Sequence, residues 1–360
     1  MKIQEHYIAK TLLTYTLVVL LVWLSIYSFF NLLIELNSVG TASYSLLDAL
    51  KYIVLQMPEI AYNQASPIIL LGCVLGMGHL ASTNQLIIFS VSGKSIIALS
   101  WLAVKNALFF ITVIILIGEL LAPFLSNYAE RERSDALGHI NISNSQEGFW
   151  IRDGNNFINV NKNIGGEIFS GITIIEVDSS NKIERVIKSD KASFDRNLLE
   201  MIDGEIFSIN QENAFEAISF KERSTYNKTV SFDQDLIESL KKEPKELSTW
   251  TILKQIQFLS DNKLRSEVFE VELYKRLVKP VTLIAMILLA MLFVFESSRD
   301  ATLGRKIFFG VALGLSFEMI SRVSGAMALS LDISPLLSSI IPVLSVMFIS
   351  MILLTRKSMT

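Results

Sequence analysis

Residues 12–33 read LLTYTLVVLLVWLSIYSFFNLL, an apolar run without a charged side chain, and this run decides the class of the fold. A helix that crosses a bilayer needs about 20 such residues. Comparable runs recur at Ile60–Leu80, Ile96–Leu121, Leu277–Phe295, Ile307–Leu331 and Leu336–Leu354. The first run is too long for a signal-peptide core and has no small-residue cleavage site after it, so it is expected to persist as a helix. Between the third and fourth runs the composition changes. Residues 124–270 hold 18 Lys+Arg against 25 Asp+Glu, a net of −7, while the rest holds 14 against 10, a net of +4. Only 19% of the chain is charged, below the roughly 25% of a soluble domain. A soluble enzyme is excluded. So is a nucleic-acid binder, because the polar block carries no basic stripe. The expected organisation is three helices in residues 1–123, an insert over residues 124–270, and three helices in residues 271–360.

Basic residues in short loops set orientation. Lys2, Lys10, Lys94, Arg299, Arg305, Lys306, Arg356 and Lys357 fall on one side, whereas the alternate loops 34–55 and 331–335 hold only Lys51. Both termini are therefore expected in the cytoplasm. The insert is expected on the far side, in the periplasm if the cell is Gram-negative.

The insert reads as β. Phe149–Arg152 and Phe157–Val160 flank Asp153-Gly154-Asn155-Asn156, residue types that tolerate turns. Short apolar runs continue at Ile172–Val177, Ile183–Ile187, Ala192–Phe194, Leu198–Ile202, Glu205–Ile209, Ala217–Phe220 and Thr229–Phe232. Regularly spaced short strands predict a sandwich, jelly roll or open roll. From Gln234 the pattern turns helical, with a break at Pro244. His6, His79 and His139 fall in different compartments, and Cys73 is the one cysteine. Neither a catalytic set nor a metal site emerges.

Gly93-Lys94-Ser95 lacks the earlier glycine of a phosphate loop, since position 88 is Ile88. ATP, if used, is expected on another subunit. Gly72, Gly76, Gly78, Gly310 and Gly314 are spaced for close helix packing. Residues of about 82–93 form a short apolar helix in a cytoplasmic loop, capped by Ser82 or Thr83 and ended by Gly93. It can lie in the lipid interface or insert as a peg into a partner, and the residues leave both open. Ionisable groups within spans are costly and are functional candidates. Here they are Glu59, Glu119, Glu318 and Arg322. Glu318 and Arg322 are four apart and can pair along one helix face, so a structural pair and a substrate contact both stand.

The order of these features resembles the LptF/LptG family, permeases of the lipopolysaccharide-export ABC transporter. His6-Tyr7-Ile8-Ala9-Lys10-Thr11 is similar to the family's opening, and Leu70-Leu71-Gly72 through Gly93 to its coupling segment. Gly118-Glu119-Leu120-Leu121-Ala122-Pro123 resembles the end of its third helix. Gly148-Phe149-Trp150-Ile151-Arg152-Asp153-Gly154-Asn155-Asn156-Phe157 looks like the start of the G-type (LptG) periplasmic domain. Glu272-Leu273-Tyr274-Lys275-Arg276 with Pro280 resembles the start of the fourth helix.

The resemblance implies an α-helical membrane protein with six transmembrane helices and a periplasmic β-jelly-roll insert between the third and fourth. It implies a permease subunit that extracts lipopolysaccharide from the outer leaflet and passes it to a periplasmic bridge (LptA-type). It also implies an LptF-type paralogue, an LptB-type ATPase homodimer that binds ATP and Mg, and a single-span LptC-type subunit. Substrate contacts are expected at Asn31, Glu35, Arg133, Glu318 and Arg322, and a lipid path at Phe149, Ile158 and Ile174. ATPase coupling is expected at Gln85, Leu86, Phe89 and Gly93. The chain departs from the family where Asn31, Asn37 and Ser38 replace basic residues and Gln85 a carboxylate. The competing expectation is a membrane-anchored periplasmic scaffold or sensor without transport. Co-purification of an ATPase separates the two.

Overall fold

A computed structural model describes residues 2–83, 85–86, 95–138, 149–164, 168–178, 182–195, 197–209, 218–232, 236, 239, 242–296 and 303–359. Six helices in it are long and apolar enough to cross a membrane. They are carried by α1 (Lys2–Glu35), α3 (Ala65–Ser82), α4 (Ile96–Leu116), α7 (Glu267–Glu296), α8 (Leu303–Ser330) and α9 (Pro335–Met359). The α4 helix runs through a π-helical turn, Ile117–Leu121, into α5 (Ala122–Ala136).

Among the described residues, two compact units are present. The first comprises Met1–Val39, Leu46–Glu130 and Glu267–Thr360, and the second Gly40–Ser45 and Arg131–Ser266. The expected edges of the insert, 124 and 270, thus lie a few residues outside the unit that carries the sheet.

The first unit is organised around α3. A helix that is apolar on every side belongs inside, and 78% of the residues in the apolar window of α3 are buried, against 6% in α1 and 17% in α8. Small residues let its neighbours come close. A Cβ on Gly72 would meet Thr16 of α1 at 2.6 Å, and one on Gly314 of α8 would meet Pro67 at 2.9 Å. The expected packing role of these glycines is what the helices use. The core continues through Leu99 and Ala103 of α4 and Leu283, Met286 and Met291 of α7. Consequently α1 and α8 each keep an apolar face exposed, with Leu21, Ile26 and Phe30 on one and Met319, Ile320 and Val323 on the other.

One boundary differs from the sequence expectation. Residues expected as a loop up to 55 and a span from Ile60 form a separate helix, α2 (Leu46–Asn63), which precedes the span. Its polar side chains are used. The Nζ of Lys51 lies 5.2 Å above the ring of Tyr128, and Tyr52 donates to Glu130 at 3.0 Å. Ser126 donates to Glu59.

In the second unit, six strands form one antiparallel sheet in the order β1-β2-β3-β4-β5-β6. They are β1 (Phe149–Asp153), β2 (Asn156–Ile164), β3 (Ile168–Val177), β4 (Ile183–Asp195), β5 (Leu198–Ile209) and β6 (Ile218–Thr229). Several short strands expected from the sequence are halves of longer ones. Ser189, inside β4, shares its hydroxyl proton between the carbonyls of Lys191 and Ile202 at 2.7 and 2.5 Å. Asp203, at φ 54°, and Gly204 mark a register shift in β5.

Side chains also join strands that are not neighbours in the sheet. Tyr226 and Lys228 of β6 both donate to Glu176 of β3, a strand that β6 does not pair with. Lys228 also reaches Asn156 of β2 at 2.7 Å, and Ser231 donates to Asp153 of β1. Below the strands, α6 (Thr249–Asp261) supplies Phe258, which packs edge-on against Phe232. Phe232 stacks in turn on Phe194.

Candidate functional site

Two arrangements can do chemistry or carry a ligand, one in each unit. The first is a polar node where α2, the π turn and α7 meet. A π turn adds one residue to a helical turn and re-aims the side chains beyond it, and such turns are frequent at functional sites. Here it aims Glu119 at Tyr62, whose hydroxyl donates to Oε1 at 2.8 Å. Gly118 makes the approach possible: a Cβ there would lie 2.0 Å from the Tyr62 ring.

Arg276 of α7 completes the node. Its Nη1 is 3.9 Å from Glu119 Oε2 and its Nε is 3.1 Å from Glu272 Oε1, with only 8% of the side chain exposed. Lys279, one helical turn along, holds its Nζ 5.1 Å over the Tyr62 ring and donates to the carbonyl of Asn63 at 3.4 Å. Tyr62, Arg276 and Lys279 are not among the expected site residues, and Arg276 stands only in the run that resembles the start of the fourth helix. The available signal was Lys275 and Lys279, four apart at the edge of the apolar run.

The expected substrate residues occupy separate places. Asn31 is half-buried on α1, and Glu35 is buried at its end. Glu318 and Arg322 pair along α8, Nε to Oε1 3.2 Å, with 68% of the Arg322 side chain exposed. Arg133 is half-buried and belongs to the second unit. Glu318 is also the first of the carboxylates acting on Lys279, so the α8 pair connects with α7.

The second arrangement is an apolar lane on the inner face of the sheet. Ile158 pairs with Ile174, Ile174 with Ile187, and Ile187 with Ile206. The first three are 1%, 0% and 0% exposed. The expected path residues Ile158 and Ile174 are thus brought into direct register. Phe149 pairs with Val160 through its backbone, but its side chain lies outside the described residues.

The lane ends at Glu176, Tyr226, Lys228 and Asn156. Burial alone would raise the Glu176 carboxyl, but Lys228, Tyr226 and Arg185 outweigh it and hold it below the ordinary carboxylate value. Burial and the same carboxylate push the Tyr226 hydroxyl up.

Of the expected coupling residues, Leu86 is buried in the core of the first unit, and Gln85 keeps its amide oxygen enclosed. Phe89 and Gly93 lie outside the described residues.

Comparison with known proteins agrees with this geometry. The family described as "Lipopolysaccharide export system permease LptF/LptG" matches residues 6–356. The chain is 25% identical to the lipopolysaccharide export system permease protein LptG of Escherichia coli K12 over 98% of both chains. It is 26% identical to the protein of the same name from Haemophilus influenzae, again over 98% of both. Six apolar helices, a six-stranded antiparallel sheet between the third and fourth, and a match over nearly the whole length agree: the chain belongs to the LptF/LptG family of lipopolysaccharide export permeases.

Proposed function

We propose that this chain is the G-type permease subunit of an ABC transporter that extracts lipopolysaccharide from the outer leaflet of the bacterial inner membrane. The lipid then passes through the β insert to a periplasmic bridge protein of LptA type. ATP and Mg are bound by a separate LptB-type ATPase homodimer at the cytoplasmic surface. The chain pairs with an LptF-type paralogue, and a single-span LptC-type subunit joins them. Both termini are cytoplasmic and the insert is periplasmic.

One observation carries this reading: the family match runs through the membrane helices and the sheet alike, and the sheet's inner face is an apolar lane wide enough in register to include β2, β3 and β4. Lipopolysaccharide offers acyl chains and anionic phosphates, so its path needs apolar walls and cations. The exposed faces of α1 and α8 supply apolar walls. Arg322, exposed on α8, and Arg133 supply cations for phosphate, which a guanidinium can grip with two donors. Asn31, Glu35 and Glu318 are the accompanying polar groups, and Gln85 to Gly93 the coupling segment.

Purification of the tagged chain from its native membrane, followed by reconstitution into liposomes with lipopolysaccharide, tests the proposal. A transporter subunit brings down an ATPase and a paralogue and releases lipid only with ATP. A scaffold brings down neither.

A further inference from the structure

Two lysines in α7 are not accounted for by any ion pair. Lys275 and Lys279 are four residues apart, hence on one helix face, and both are half-buried. Among the described residues neither forms a salt bridge. Glu272, the nearest carboxylate in sequence, is engaged by Arg276 at 3.1 Å. Lys279 is steadied by the Tyr62 ring and the Asn63 carbonyl only. Lys275 extends towards Gly325 of α8, where a Cβ would stand 2.9 Å from its Nζ. Lys275 therefore reaches α8, whereas the ring contact and the hydrogen bond of Lys279 are with α2.

What α8 presents there is one carboxylate, Glu318, already paired with Arg322. Glu318 and Glu272 act on Lys279, opposed by Arg276 and Lys275. Arg322 and Lys279 thus draw on the same carboxylate, Glu318, and Lys275 reaches α8 one helical turn beyond Arg322, at Gly325. Positive charge on the two half-buried lysines is costly unless an anion compensates it, and ionisable groups in spans mark ligand pathways.

The heights agree. Counting 1.5 Å per residue, Lys279 and Lys275 stand ~24 and ~30 Å from Phe295, and Arg322 stands ~22 Å from Ile307. All three lie near the end of the spans that leads to the insert, in a hydrocarbon core about 30 Å thick. We propose that Lys275 and Lys279, together with Arg322, form an anion site at the seam of the fourth and fifth spans that takes a phosphate of the lipid substrate. Tyr62 and the Asn63 carbonyl steady Lys279, the bare Cα of Gly325 leaves room for Lys275, and Glu318 keeps the site balanced when it is empty. This inference rests on the reading of the chain as a lipopolysaccharide permease.

The test uses the full-length chain with the subunits that co-purify with it. Apparent affinity is measured for phosphorylated lipopolysaccharide and for the same lipid after enzymatic dephosphorylation. Replacing both lysines by Gln is expected to weaken binding of the phosphorylated lipid at least tenfold, and replacing both by Arg to keep it within about threefold. The dephosphorylated lipid should bind wild type and the Gln variant alike. If Arg322→Gln weakens binding and the lysine pair does not, the seam site is wrong while the Arg322 reading stands. If neither weakens binding, both fall.

A second readout needs no variant. Acylation of Lys275 and Lys279 by an amine reagent, with mass spectrometry as the detector, should be blocked by the phosphorylated lipid. Equal protection by phosphatidylglycerol nanodiscs would mean simple attraction to anionic headgroups, and equal protection by inorganic phosphate a site for the free ion. Either result, or no protection, overturns the proposal.

Discussion

The hydroxyl of Tyr62 donates to Glu119 across 2.8 Å, and the ring fills the space where a side chain at position 118 would be. This hydrogen bond ties the π turn after α4 to α2. It is made possible by a glycine rather than by a longer reach.

Gly118→Ala tests the fit. A Cβ 2.0 Å from the ring forces a shift of the kind that costs about 1–3 kcal/mol, so thermal unfolding in detergent should begin several degrees lower. Gly304→Ala, with nothing within 4 Å of its Cβ, should leave the transition unmoved.

Tyr62→Phe and Arg276→Gln should be coupled rather than additive, because both act on Glu119. Hydrogen bonds to charged groups contribute about 1.5–3 kcal/mol. A double-mutant cycle on unfolding should give an interaction of about 1 kcal/mol. Strict additivity would mean that Glu119 is held by one partner only.

The β insert should lose stability in acid through Glu176. Its carboxyl lies below the ordinary value in the folded chain, so its contribution is complete above the unfolded pKa of about 4.3 and is lost as pH falls through the lower folded value. The protection factors of β6 amides, taken relative to intrinsic exchange at each pH, should fall over that window in wild type. Glu176→Gln should exchange faster at neutral pH already and show a flatter dependence.

Phe89→Asp is expected to release the ATPase while the membrane fold persists, as judged by co-purification and by detergent-resistant size. Leu86→Asp is the contrasting case. Leu86 is 6% exposed within the core, so a carboxylate there should reduce the amount of folded protein rather than detach a partner. A Phe89→Asp protein that retains wild-type stoichiometry would refute the contact.

Much of the fold was legible because lipid demands long apolar runs, and the six runs mark the six spans. The α2 helix was not, because Asp48, Lys51, Glu59 and Pro58 interrupt its apolar side and suggest a loop. Its buried residues Ala49, Ile53 and Ile60 face inward nonetheless. In the insert, Ser189-Asp190-Lys191 and Asp203-Gly204 look like turns, yet they lie inside β4 and β5. The Glu318–Arg322 pair was legible because helical spacing alone places it. The node of Tyr62, Glu119 and Arg276 joins three distant segments, and a π turn leaves no sequence pattern. Gly118 and the ionisable Glu119 beside it are the hints the sequence offers.

The central claim is that lipopolysaccharide passes along the inner face of the sheet under the power of ATP. A photo-crosslinking side chain at Ile174, on the buried row with Ile158 and Ile187, tests this in the reconstituted complex. The account predicts lipid adducts at Ile174 that appear only with ATP, and little at Arg152, whose guanidinium lies over the Phe157 ring. Adducts of equal yield at both positions, or adducts at Ile174 that do not depend on ATP, would contradict it.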